Sequence, residues 1–374
     1  MKRTILHISK YYYPDEGGIE TVTKYLAEGL TTFNNIVVCF ATTGESKAEF
    51  INGIEVHRVA PMFRLSSQDV TFGYWYVLKK LTKKYNPDIA IVHCPNPFVY
   101  PITNALPTKT KVVLLWHSDI LTKGCLYNFI KPVESYALKK ADLILATSQN
   151  YINPTSPIYK HRSKVKILQN GIIDTDFDLR DGDEERIKQI KELYGNRKLI
   201  LFVGRHIPYK GIDCLIESEK YIKSDCRVLI AGRGPETEKL KNLAKSNRIV
   251  FLGKVSGDEL RCLYHAADIF GFASVTKQEA FGVALAEAMY CGCVPVTFHL
   301  EGSGVNWVSL NGVTGEEVEL RNIKAYAGAI DKILSNEKLH RQYAEAGKQR
   351  VKEYFTDEKS VETAKEILNE LLNG

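Results

Sequence analysis

Short apolar runs alternate along the chain with longer stretches whose apolar residues recur every three or four positions. That alternation predicts parallel α/β architecture. In the first half, Thr4–Ile8, Ile36–Phe40, Ile89–His93, Val112–His117, Leu143–Thr147 and Lys164–Leu168 read as strands, and Glu20–Leu30 reads as the helix after the first. A second series follows with Leu199–Val203, Arg227–Ala231, Ile249–Leu252, Ile269–Phe272 and Val294–Phe298, again with helical stretches between. Separating the two series, residues 176–197 are dominated by charge and predict a linker running into a solvated helix. The expected organisation is two α/β domains, residues 1–175 and 176–356. Periodicity lets the last helix, near Ser360–Leu372, join either domain, so residues 357–374 can extend the second or pack back on the first.

Length supports two domains, because 374 residues exceed the usual size of a single core. With 44% hydrophobic and 25% charged residues, the composition is that of an ordinary globular protein and excludes extensive disorder. The net charge of +6 permits an anionic substrate or membrane surface without demanding nucleic acid, and no nucleic-acid partner is expected. Eight cysteines are scattered without a CxxC pair, so they read as reduced thiols that behave as small hydrophobes. The start, MKRTILHISKYYYPD, reads as a first strand rather than a signal peptide, and no run approaches the ~18 apolar residues of a membrane span. A cytoplasmic location is expected. Lys79, Lys80, Lys83 and Lys84 cluster by helical spacing just after Phe72, Tyr74, Trp75 and Tyr76. This face reads either as an ordinary solvated helix or as a contact with the inner surface of an anionic membrane.

Several loops carry candidate chemistry. Gly17-Gly18 follows the first strand and opens a helix, and reads either as backbone N–H groups placed to meet a phosphate or as a tight turn with no ligand. In the second series a strand ends at Gly204, and the following loop carries Arg205 and Lys210, which read either as a clamp for a diphosphate or as ordinary surface cations. Ala231-Gly-Arg-Gly-Pro-Glu-Thr237 has threonine where a dinucleotide-binding turn has its third glycine, and reads more readily as a plain strand-to-helix turn. His117, at a strand's carboxyl end, reads either as a ligand-facing group or as a structural histidine, and His265 reads as structural. No histidine pair has metal-site spacing, and no metal is expected. Glu279 and Glu287 flank the opening of a strongly apolar helix that Gly282 begins and Gly292 ends. If helical throughout, eight residues separate the acids by about 12 Å, which suits two hydroxyls of one elongated ligand.

Taken in order, Gly17-Gly18, Gly204-Arg205 with Lys210-Gly211, and Glu279-Ala-Phe-Gly with Glu287 eight positions on resemble glycosyltransferase family 4. The matches cover almost the whole chain. Those enzymes are retaining and have the GT-B architecture, two Rossmann-like parallel-sheet domains facing across a cleft. The resemblance implies a nucleotide-sugar donor, a UDP- or GDP-sugar, and a saccharide or lipid-linked acceptor, with no cofactor and no metal. It implies that Gly18 meets the donor diphosphate, that Arg205 and Lys210 stabilise it as a leaving group, and that Glu279 binds the transferred sugar. The amides of Phe281, Gly282 and Val283 would lie nearby, Glu287 would bind the ribose, Val255 would pack the nucleobase, and His117 would stand near donor sugar and acceptor. Leu300–Gly315 and Trp116–Ile120 look like a branch linked to mannosyl or rhamnosyl transfer in bacterial surface polysaccharides, an O-antigen or capsule. Asn170-Gly-Ile-Ile-Asp174 carries an extra isoleucine against the family pattern, which puts a role for Asp174 in doubt. A GT-B nucleotide-sugar epimerase and an inactive sugar-binding partner subunit are the alternatives. A dinucleotide-dependent oxidoreductase would need a fingerprint that the first turn lacks.

Overall fold

The computed structural model describes residues 2–15, 17–42, 44–65, 68–120, 125–255 and 257–374. The chain divides into two compact units, one comprising the residues up to Gly171 with Asp357–Gly374, the other Ile172–Thr356. The break after Gly171 lies just before the 175/176 boundary read from the charge run.

The strands of the first unit are β1 (Thr4–Ile8), β2 (Asn34–Phe40), β3 (Lys47–Ile51), β4 (Ile54–Val59), β5 (Phe63–Leu65), β6 (Gln68–Val70), β7 (Ile89–Cys94), β8 (Lys111–Trp116), β9 (Leu143–Ala146) and β10 (Val165–Ile167). Its helices within the first 171 residues are α1 (Gly18–Gly29), α2 (Phe72–Tyr85) and α3 (Cys125–Lys140). Eight strands form one sheet in the order β10-β9-β8-β7-β1-β2-β4-β3, while β5 and β6 make a separate hairpin. Every neighbouring pair in the large sheet is parallel except β3 with β4. Its central strands β1 and β7 are buried along their whole length, as a sheet covered on both faces requires. That burial is why they read as apolar runs, broken only by His7 and His93 near their ends.

The second unit contains α4 (Asp183–Leu193), β11 (Lys198–Val203), α5 (Ile212–Ser218), β12 (Cys226–Ala231), α6 (Thr237–Leu243) and β13 (Ile249–Gly253). It continues through α7 (Gly257–Ala266), β14 (Ile269–Phe272), α8 (Val283–Tyr290), β15 (Val294–Phe298), α9 (Val305–Val308), β16 (Glu316–Val318), α10 (Ile323–Leu334) and α11 (Glu337–Tyr354). Six parallel strands lie in the order β13-β12-β11-β14-β15-β16. Numbered within the unit, that order is 3-2-1-4-5-6, the doubly wound arrangement that reverses direction between its first and fourth strands.

The final helix, α12 (Asp357–Asn373), returns to the first unit and packs on α1. Tyr25 and Ser360 hydroxyls meet there at 3.2 Å, and the Tyr25 oxygen also accepts the amide of Gly171 at 3.0 Å. Where the chain passes from one unit to the other, Ile172 bridges Thr356, so the outgoing and returning segments run side by side.

Candidate active site

Two loops leave the sheet of the second unit at its reversal point, Gly204–Gly211 after β11 and Ala273–Gly282 after β14. Ligands of open α/β sheets bind at such a point, beyond the carboxyl ends of the strands. Gly211 sits at φ 60, and a Cβ there would come within 2.0 Å of the Ala273 carbonyl oxygen, so glycine is what lets the two loops close together. The Val275 amide donates to the Tyr209 carbonyl at 2.8 Å and ties them. A third loop closes from the other side. A Cβ on Gly232 would meet the Gly204 oxygen at 1.9 Å, and the Thr237 hydroxyl is held between the amide and carbonyl of Gly234. The glycines of Ala231–Thr237 therefore serve loop packing, the plain turn favoured from sequence.

This packing brings together residues far apart in the chain. Lys210 and Glu279 form an ion pair, their side chains only 13% and 10% exposed. Ser274 donates its hydroxyl to the same Glu279 oxygen at 3.0 Å, and Ser303 donates to the Glu279 carbonyl. Burial opposes the Lys210 charge, but the Glu279 carboxylate outweighs it and holds the ammonium pKa above its ordinary value. Arg205 is exposed on the same loop as Lys210 and makes no ion pair among the described residues. The site thus presents one free guanidinium, one lysine engaged by a carboxylate, and the uncapped N-terminus of α8 behind Gly282.

Glu279 precedes the helix that Gly282 opens, as read from the sequence, so the spacing of about 12 Å for a continuous helix does not apply. Regular helix begins only at Val283, and Glu279 stands before it in a turn where its amide donates to the Thr276 carbonyl at 3.2 Å. Gly282, at a positive φ, separates the two acids into different local frames. Glu287 is half-buried on α8 and accepts the Tyr264 hydroxyl at 3.0 Å. Burial raises its carboxyl to about 7, against the effect of that hydrogen bond. Phe281 is buried edge-on against Phe355 at 5.4 Å, so its ring belongs to the core and its backbone alone remains for a ligand. Val283 is half-buried at the first position of α8. Val255, just past β13, lines a cavity of about 250 Å³ with Ile190, Tyr194, Leu252 and Leu263.

In the first unit, Gly17 and Gly18 are exposed where α1 begins, and no side chain caps that helix. The Glu20 carboxylate folds back over them, so close that a Cβ on Gly17 would lie 2.2 Å from its oxygen. The chain's own acid therefore stands where a phosphate was expected, attracted by the same partial charge. Burial raises its pKa above the ordinary carboxylate value. His117, one residue past β8, is 8% exposed and stacks on His93 with ring centres 5.5 Å apart. The following turn is pinned at Asp119, which accepts from Trp116 Nε1 at 2.9 Å and from the Ser156 hydroxyl at 3.1 Å. His265 lies 2.8 Å from the Phe177 carbonyl oxygen, the structural role read for it. Among the described side chains, seven cysteines are free thiols, six of them buried.

Sequence reading missed Ser274, Tyr264 and His93, each of which holds a candidate residue by a side-chain hydrogen bond or ring contact. Ser274 had a signal, since it lies at the carboxyl edge just after a predicted strand. His93 had a similar signal at the end of a predicted strand, whereas Tyr264 had none, because its hydroxyl meets Glu287 only in three dimensions.

Two parallel-sheet α/β units, one of them doubly wound with a charged site at its reversal point, define a GT-B fold. The solved structure of HepE from Anabaena in complex with UDP and glucose superposes with a TM-score of 0.78 at 19% identity, covering 98% of this chain and all of that one. Glycosyl transferases group 1 match residues 183–350, and Glycosyltransferase Family 4 matches residues 16–176. The two matches together span most of the sequence, and the chain belongs to the family 4 glycosyltransferases. Curated relatives include O-antigen chain mannosyltransferase C of Escherichia coli, 26% identical over 99% of both chains. D-rhamnosyltransferase WbpZ of Pseudomonas aeruginosa is 27% identical over 83% of this chain and 81% of its own.

Proposed function

We propose that this glycosyltransferase moves a hexose of mannose, rhamnose or glucose type from a UDP- or GDP-sugar to a hydroxyl of a saccharide or lipid-linked acceptor, with retention and without a metal. The relatives named for O-antigen mannosyl and D-rhamnosyl transfer favour a place in bacterial surface-polysaccharide synthesis. The neighbour holding UDP and glucose favours a nucleotide-sugar donor. One observation carries the reading: the Lys210–Glu279 pair beside the unpaired Arg205 at the reversal point of the second unit.

The chemistry follows from charge. Breaking the anomeric bond builds positive charge on the sugar carbon and negative charge on the departing diphosphate. Fixed cations aimed at that negative charge lower the barrier by several kcal/mol. Arg205 supplies a planar fork for two phosphate oxygens and Lys210 a point charge, which is the task a metal would otherwise perform. Glu279 holds the Lys210 ammonium against the cost of burial. With donor bound, Lys210 turns to phosphate and Glu279 accepts the sugar hydroxyls, with the amides of Phe281, Gly282 and Val283 nearby. Glu287 takes the ribose, the Val255 segment the base, Gly18 a phosphate oxygen once Glu20 withdraws, and His117 a hydroxyl near the reacting carbon. The acceptor hydroxyl attacks from the face the diphosphate leaves.

The exposed Phe72, Trp75 and Tyr76 of α2, with Lys79, Lys80 and Lys83, form the surface proposed to touch an anionic membrane. Lys84 contributes less than its neighbours, because it lies 3.5 Å from Glu55. Among the described residues, no helix is long and apolar enough to cross a bilayer.

Transfer in the presence of EDTA, with the product's anomeric configuration read by NMR, tests the mechanism. Retention at an undiminished rate is expected, whereas inversion or loss with EDTA would overturn it. Donor incubated without acceptor separates the epimerase alternative, which would return a sugar of changed configuration.

A further inference from the structure

A file of side chains runs through the sheet of the first unit and ends at His117. The adjacent strands β1 and β7 carry His7 and His93, and His117 follows the next strand, β8. His117 Nε2 lies 3.2 Å from His93 Nδ1, His93 Nε2 lies 3.4 Å from His7 Nδ1, and His7 Nε2 lies 3.1 Å from Asn35 Oδ1 on β2. All four side chains are buried. The imidazoles are bonded pairwise, each nitrogen facing its neighbour.

A neutral imidazole has one N–H and one lone pair, so fixing one end of such a file fixes every member. Asn35 fixes it. Its amide nitrogen donates to the Leu30 carbonyl at 2.8 Å, which leaves Oδ1, an acceptor only, facing His7. His7 must then carry its proton on Nε2 and offer the Nδ1 lone pair to His93. By the same step His93 carries its proton on Nε2 and offers Nδ1. Thr23 Oγ1 also lies 3.1 Å from that nitrogen, but the Thr23 hydroxyl proton goes to the Ile19 carbonyl at 2.8 Å. The donor to His93 Nδ1 is therefore His117 Nε2–H.

We infer that Asn35, His7 and His93 are positioning residues that lock His117 as the Nε2–H tautomer, so that its Nδ1 is a fixed acceptor for a ligand O–H or N–H. Such a nitrogen selects a hydroxyl and rejects a phosphate oxygen, which offers it no proton. Burial supports the lock by keeping the file neutral: His7 is lowered to about 4, His117 to about 3, and His93 well below its ordinary value by burial and its imidazole neighbours. A proton added to His7 or His93 would set two donors face to face. The catalytic use of the Nδ1 lone pair rests on the reading of His117 as substrate-facing, but the lock itself does not.

The test is a long-range ¹H–¹⁵N correlation spectrum of the full chain labelled with ¹⁵N-histidine at pH 7.5, without donor or acceptor, His117 being assigned from the signals lost in His117→Gln. In the wild type His7, His93 and His117 should all show the Nε2–H tautomer pattern. His93→Asn places an amide oxygen near the former Nδ1 and should keep that pattern at His117. His93→Leu removes the acceptor and should move the two His117 nitrogen shifts toward each other as the tautomers exchange. A wild-type His117 protonated on Nδ1, or one unmoved by His93→Leu, would overturn the inference. The wild-type spectrum decides even if the leucine variant fails to fold, and neither outcome depends on whether the chain transfers sugar.

Discussion

Glu287 shows how one side chain ties the site to stability. Its carboxyl titrates near 7 in the folded chain and near 4.3 when unfolded, because burial disfavours the ion. Between those values the folded state keeps a proton that the unfolded state has released. Stability therefore falls as pH rises through that window, and the whole cost is present above about pH 7. Glu287→Gln removes the titration while keeping an acceptor for Tyr264. Thermal unfolding of both proteins from pH 4 to 8 should show the variant gaining on the wild type as pH rises; a constant difference would contradict the assignment. In the ribose contact proposed for Glu287, ligand hydroxyls would supply the hydrogen bonds that burial removed.

Among the elements, strands with apolar runs were readable, the edge strands β10 and β13 included, whereas strands interrupted by charge were not. All five strands predicted for the second half are present, because both faces of a buried parallel strand are apolar. β4 went unread, since Glu55, His57 and Arg58 interrupt its apolar positions. The buried Arg58 is matched by Glu49 at 2.7 Å and Asp15 at 3.2 Å, partners that only the fold supplies. β16, with the sequence Glu-Glu-Val, is too short and too polar to give a pattern. The charged stretch 176–197 runs into a mostly exposed helix, as read, with one buried charged exception. That helix is α4, and Asp183 at its start is buried and holds Arg261 of α7 through two bonds of 2.7 and 3.1 Å. Arg261 keeps the Asp183 carboxyl well below the usual carboxylate range. Arg261→Met, which strands that carboxylate, should cost about 3 kcal/mol in denaturant unfolding at pH 7. The pair's contribution is complete above the unfolded aspartate pKa of about 4 and fades as pH falls toward the depressed folded value, so the difference should shrink in acid. A loss below about 0.5 kcal/mol at pH 7 would mean the pair is solvated after all. The site had the same split legibility: the loops carrying Arg205, Lys210 and Glu279 were visible as motifs, whereas the pairing of Lys210 with Glu279 required the fold.

At the scale of the molecule, the two units divide the work. The second carries the charged reversal point and the first carries the histidine file and the aromatic, basic face of α2. Lys79 lies 4.7 Å over the Trp75 ring, so charge and apolar surface are presented together on that helix. Reversing Lys79, Lys80 and Lys83 to glutamate should abolish cosedimentation with phosphatidylglycerol-containing vesicles and leave thermal stability within a degree or two. Unchanged vesicle binding would remove the membrane from the proposal. The donor site itself is tested by release of nucleoside diphosphate across a panel of UDP- and GDP-sugars, comparing the wild type with Lys210→Ala and Glu279→Ala proteins shown to be folded. At least one donor should be turned over by the wild type, with each variant slower by on the order of 100-fold or more. Full activity in both variants would contradict the placement of the donor at the Lys210–Glu279 pair.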